Sequence, residues 1–127
     1  MLAEILKDVF SKNEFTGHIG GDDFIAISEK KDFREKCARV IAEFDGRVKQ
    51  FYREEDYEKG YILSRNRRGI EGCFPLTSLS VACLGSRQYS SIYDLSENAS
   101  RLKKECKLLE GSNCICEKDC DIEDKQV

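Results

Sequence analysis

Gly17-His18-Ile19-Gly20-Gly21-Asp22-Asp23-Phe24-Ile25-Ala26-Ile27 decides how the rest of this chain is read. Two short β-prone runs flank a Gly-Gly-Asp turn, the pattern of a β-hairpin with acids at its tip. The two glycines permit positive φ and leave their backbone N–H groups unobstructed, so a phosphate can approach them. The adjacent carboxylates can hold a divalent cation. Mg²⁺ typically takes one or two protein carboxylates and completes its shell with water and phosphate oxygens, which suits nucleotide chemistry. Gly-Asp pairs also build ordinary turns, and the residues alone leave both readings open.

On the N-terminal side of this hairpin, Leu2, Ile5, Leu6, Val9 and Phe10 stand at helical spacing. On its C-terminal side Phe33, Cys37, Val40, Ile41, Phe44, Val48 and Phe51 step by three and four, which predicts a long helix over residues 32–52 despite Gly46. An interior glycine costs a helix about 1 kcal/mol, so tertiary burial has to outweigh it. Residues 61–64 and 73–84 read as the two strands of a second hairpin around a polar, glycine-containing turn. In the longer strand Leu79, Val81 and Cys83 share one face, and Ser78, Ser80 and Ala82 the other. Leu95, Ala99, Leu102, Cys106 and Leu109 form the stripe of a last helix, with Gly111 expected as its left-handed cap and a polar remainder after it. The order helix, hairpin, helix, hairpin, helix belongs to the α+β class.

With its flanking helices, the stretch from Gly17 to Ile27 resembles the signature hairpin of the GGDEF family, the diguanylate cyclase domains of bacterial cyclic-di-GMP signalling. Phe74-Pro75-Leu76-Thr77-Ser78-Leu79-Ser80-Val81-Ala82 is similar to the family's last core strand. Residues 99–113, with Lys107 and Gly111-Ser112-Asn113, are similar to its final helix and Lys…Gly-x-Asn ending. The resemblance covers residues 1–115 and leaves 116–127 as a polar acidic tail. It implies a nucleotide-cyclase-like palm, a ferredoxin-like βαββαβ fold, here lacking its first strand and helix and carrying an additional hairpin. In the family two GTP-loaded domains face each other, and each 3′-hydroxyl attacks the α-phosphate of the opposing GTP. Carried over, Gly20 and Gly21 line the phosphates, Asp22 ligates Mg²⁺ or Mn²⁺, Asp23 takes the acid position that helps activate the hydroxyl, and Lys107 contacts phosphate. The implied partners are GTP, a second copy of the chain, and sensor or effector domains of a longer parent.

Three departures accompany the resemblance. The family's first strand, with its metal-binding aspartate, and the next helix, with guanine-contacting Asn and Asp residues, fall before Met1, so this chain by itself is expected to be inactive. Removing a central strand would also leave two unpaired edges, to be closed by a neighbouring chain or by the last strand pairing directly with the hairpin. Asp23 stands where glutamate is usual, shortening the carboxylate reach by one methylene. A misplacement of roughly 1 Å can cost on the order of 100-fold in rate. Ser11 and Glu14 occupy the place of the Arg-x-x-Asp motif for product inhibition, which is therefore expected to be absent.

Composition narrows the classes further. The 127 residues allow one domain or part of one. Net charge is -3, and with residues 117–127 set aside the chain carries 19 acids against 19 bases, which gives no general electrostatic footprint for nucleic acid. Glu4, Lys7 and Asp8 interrupt the apolar start, arguing against a signal peptide, and no apolar run approaches the roughly 20 residues of a membrane span. Seven cysteines, odd in number and set in apolar patterns, suit a reducing compartment, so a cytoplasmic location is expected. His18 reads as a strand side chain, Arg65, Arg67 and Arg68 as a solvated turn, and Asp45, Glu54, Glu55 and Asp56 as a helix exterior and exit. Two other functions remain open: a degenerate regulatory module that binds GTP or a partner, and an interaction module whose Cys114, Cys116 and Cys120 hold zinc.

Overall fold

Ile5, Leu6 and Val9 lie on the buried face of helix α1 (Leu2–Val9) and meet Val40, Phe44 and Val48 of helix α2 (Phe33–Val48). These contacts come from a computed structural model that describes residues 1–12, 14–29, 32–85 and 89–117. With Phe10 the six residues form the main core cluster, and Leu2, Phe24, Ala26, Tyr52 and Leu79 pack partly buried against it. The apolar periodicity of both helices thus marks the core, as the spacing predicts. The end of the second pattern departs from it. After Val48 the chain tightens into a 3₁₀ turn (Lys49–Phe51), which rotates Phe51 out to 74% exposure.

The signature stretch forms an antiparallel hairpin, β1 (Phe15–Gly20) with β2 (Asp23–Ile27). Its residues Phe15, Ile19 and Ile27 stay exposed. A short helix α3 (Glu54–Lys59) follows α2 and ends at Gly60, whose φ of +81° lets its N–H reach the Asp56 and Tyr57 carbonyls. The second hairpin pairs β3 (Tyr61–Arg65) with β4 (Glu71–Pro75). Its tip is organised by Asn66, whose Oδ1 accepts from the N–H groups of Arg68 and Ile70. Arg65 and Glu71, opposite each other, form an exposed ion pair. The arginines are the solvated turn expected of them.

The segment expected to run as one strand over residues 73–84 is divided. Pro75 has no N–H to give to a ladder, so β4 stops there, and a separate strand β5 (Ser80–Cys83) begins five residues later. Helix α4 (Ile92–Leu108) is capped by the Ser91 hydroxyl, which accepts from the Asp94 N–H at 3.2 Å. Leu102 and Cys106 form its buried stripe, whereas Leu109 lies beyond the helix and is half exposed. Leu109, extended at φ −91° and ψ 148° like Phe10 at the end of α1, terminates the helix, and Gly111 takes its left-handed φ of +77° two residues later rather than as the cap.

The remainder after Gly111 is not wholly a tail. Asn113–Cys116 forms β6, parallel to β5, with Ser80 opposite Asn113 and Cys83 opposite Cys116. The Ser112 hydroxyl donates to Asp45 of α2 at 2.6 Å and accepts from the Leu79 N–H at 2.9 Å, fixing where β6 starts. Among the described residues the strands therefore make three two-stranded sheets, and β5 does not pair with the β1–β2 hairpin as one of the two gap-closing arrangements required. The architecture is α+β. No described helix is long and apolar enough to cross a membrane.

Candidate functional site

The ladder between β1 and β2 pairs His18 with Phe24 and then Gly20 with Asp23, so Ile19 is an extra residue that bulges the strand just before the turn. Gly21 and Asp22 are the two central turn residues. Gly21 has φ +54° and Asp22 does not have a positive φ, the signs of a type II′ hairpin turn with glycine at its first central position. Gly20, at φ +157°, completes the reversal. A Cβ built on either glycine would meet nothing within 4 Å, so the space over the turn is open to an approaching group. His18 braces the turn from beneath. Its ring stacks on Phe24, centroids 4.4 Å apart, and its Nε2–H donates to the Gly21 carbonyl at 2.8 Å.

Asp22 and Asp23 are both exposed at the tip. Helix α4 reaches this tip through Lys103, whose Nζ lies 2.6 Å from Asp23 Oδ1. Lys103 lowers the Asp23 pKa from its ordinary range, first by the hydrogen bond and then by charge, and the charge of Lys107 adds to the shift. Lys107, the lysine expected to contact phosphate, stands one helical turn further along α4 than Lys103. Both lysines stand on the side of α4 toward Asp23, an i, i+4 pair whose positive field falls on the acid tip. Lys103 carries no motif of its own, and only the helix period from Lys107 could have marked it.

The entry to the hairpin has its own polar lock. Glu14 Oε1 accepts from the Ser11 N–H and hydroxyl, each at 3.1 Å, and from Lys36 Nζ at 2.5 Å. Lys36, then Ser28 and Ser11, hold the Glu14 carboxyl down from 4.5 to about 2 against the opposing effect of burial. Ser11 and Glu14 thus bond to each other, and Glu14 bonds to Lys36 of α2.

A second constellation lies between α2, β5 and β6. Cys37 of α2 is buried, and Cys83, Cys114 and Cys116 are half-buried. Cys37 Sγ is 3.2 Å from Cys83 Sγ, which is 3.5 Å from Cys114 Sγ, and Cys114 Sγ is 3.9 Å from Cys116 Sγ. Hydrogen bonding to Cys114 and Cys37, followed by burial, pushes the Cys83 thiol far up. Cys114 is raised chiefly by Cys37, and Cys116 chiefly by burial. Sequence reading missed Cys37 and Cys83 as members because each also fits an apolar pattern. Of the expected tail triad, Cys120 lies outside the described residues.

Comparison of the chain with protein-family models, with curated proteins and with solved structures gives no match.

Proposed function

We propose that this chain is the C-terminal part of a GGDEF-type domain of cyclic-di-GMP signalling, and that its first hairpin holds the phosphates of GTP together with Mg²⁺ or Mn²⁺. The observation that carries the reading is the hairpin tip. Open space lies over Gly20 and Gly21, two exposed carboxylates follow at once, and two lysines of α4 bring positive charge to the same place. Gly20 and Gly21 would present backbone N–H groups to phosphate, Asp22 would ligate the cation, and Lys103 and Lys107 would balance phosphate charge. A complete palm in a longer parent, a second copy facing the first, and a cytoplasmic setting belong to the same proposal.

The ion pair at Asp23 favours a holding role over catalysis in this chain. A carboxylate bound by Lys103, with its pKa lowered, is a poorer acceptor for the proton of an attacking hydroxyl. The 127-residue chain therefore binds GTP in a cation-dependent way and condenses none of it. Calorimetric titration with GTP and Mg²⁺, paired with chromatography of the mixture, tests this. Binding that weakens when Mg²⁺ is withdrawn or Asp22→Ala is introduced, with no cyclic-di-GMP formed, is the expected result. No binding, or binding indifferent to both changes, would refute it, and cyclic-di-GMP made by the wild type but not by Asp22→Ala would overturn the holding role.

A further inference from the structure

We propose that Cys37, Cys83 and Cys114 form a thiolate site for a borderline-soft divalent cation, with zinc as its natural occupant and Cys116, beside Cys114, as the fourth ligand that completes the tetrahedron on binding. The site stands apart from the hairpin tip and does not depend on the function proposed for it. Strand geometry brings three of the sulfurs together. In a parallel ladder with Val81 opposite Cys114 and Cys83 opposite Cys116, the period of two puts Cys83, Cys114 and Cys116 on one face. Helix α2 supplies Cys37 to that face, and the Sγ atoms of Cys37, Cys83 and Cys114 all lie within 4.8 Å of one another. Cys116 adjoins both Cys114 and Cys83.

The spacing fits a metal better than a disulfide. Zn–S bonds of about 2.3 Å in a tetrahedron set sulfurs about 3.8 Å apart. Neighbouring sulfurs here stand 3.2, 3.5 and 3.9 Å apart. A disulfide needs its two sulfurs at about 2.05 Å, well inside each of these separations. All-sulfur tetrahedral donor sets select zinc or iron, whereas carboxylate and carbonyl oxygens suit Mg²⁺. As each bond to the metal forms, the thiol releases its proton to solvent, so four sulfurs and one divalent cation carry a net charge of two minus. Arg34 is placed to offset that charge, since its guanidinium already acts on Cys116. Arg34, Ala38, Ile41, Ala42, Cys114 and Cys116 line a groove of about 410 Å³ that gives a path for entry.

Titrating the fully reduced chain with Co²⁺ and following the visible absorption of tetrahedral thiolate-bound cobalt tests the proposal without any variant. One cobalt per chain, displaced by one equivalent of Zn²⁺, is expected. Cys83→Ser and Cys114→Ser should lose the thiolate spectrum, while Cys73→Ser and Cys120→Ser should keep it. Alkylation mapped by mass spectrometry gives a second readout on the wild type, with Zn²⁺ expected to slow modification of Cys83, Cys114 and Cys116 but not of exposed Cys73. No cobalt spectrum from the reduced chain would overturn the site. So would a spectrum lost in Cys120→Ser but kept in Cys83→Ser, or zinc protection that spares Cys83, because either result would put the metal on the tail instead.

Discussion

Lys103 Nζ stands 2.6 Å from Asp23 Oδ1 and joins the last long helix to the tip of the first hairpin, across 80 residues of sequence. The contact makes Asp23 a stronger acid than its exposure alone would allow, and it orients the tip toward α4. Lys107 adds only a more distant charge.

From this contact, replacing Lys103 by Met should raise the Asp23 pKa toward the ordinary aspartate value, and Lys107→Met should raise it less. Carboxyl-carbon NMR titration of the three proteins measures both shifts. Both groups are solvent-facing, so added salt should narrow the differences. A larger shift from Lys107→Met would mean that Lys107 holds the acid.

Glu14 predicts an acid-side loss of stability. Its folded pKa is depressed, so the contribution is present above the unfolded value of 4.5 and is lost as pH falls through about 2. Urea unfolding of the wild type between these limits should show stability falling with pH. Glu14→Gln should flatten that slope, and Lys36→Met should move it to higher pH. An unchanged slope in Glu14→Gln would assign it to other carboxylates.

How far the fold was legible follows from which forces are local. Helices α1 and α2 and the first hairpin could be read because their apolar periods and glycines are decided within a few residues. The split between β4 and β5 rests on Pro75, which ends one ladder, while the next strand is defined by a partner 33 residues away, as Ser80 opposite Asn113. No local pattern names that partner. Asn-Cys-Ile-Cys is short and looks like the start of a polar tail until β5 lies beside it. The same distance hid the cysteine cluster, since Cys37 and Cys83 fit apolar stripes and come together only when α2 covers the β5–β6 face. At the hairpin tip the turn chemistry was visible in Gly20 and Gly21, but the contact from Lys103 depends on how α4 docks.

Gly46 offers a test of the core helix. It lies inside α2, and a Cβ added there would meet nothing within 4 Å. Gly46→Ala should therefore stabilise the chain by about 0.5–1 kcal/mol through helix propensity alone. In contrast, Ile5 is 0% exposed between α1 and α2, and Ile5→Ala should cost about 2–5 kcal/mol. Chemical denaturation gives both values. A destabilising Gly46→Ala would mean that the helix surface there is covered.

Backbone amide spectra of the chain, recorded with GTP and Mg²⁺, test most directly whether the hairpin tip is a nucleotide-phosphate and cation site. Shifts are predicted to concentrate at Gly20, Gly21, Asp22 and Asp23 and at Lys103 and Lys107, and to fade when Mg²⁺ is chelated or Asp22 is changed to Ala. Silent amides at residues 20–23 at saturating nucleotide, or an unaltered response in Asp22→Ala, would contradict the assignment.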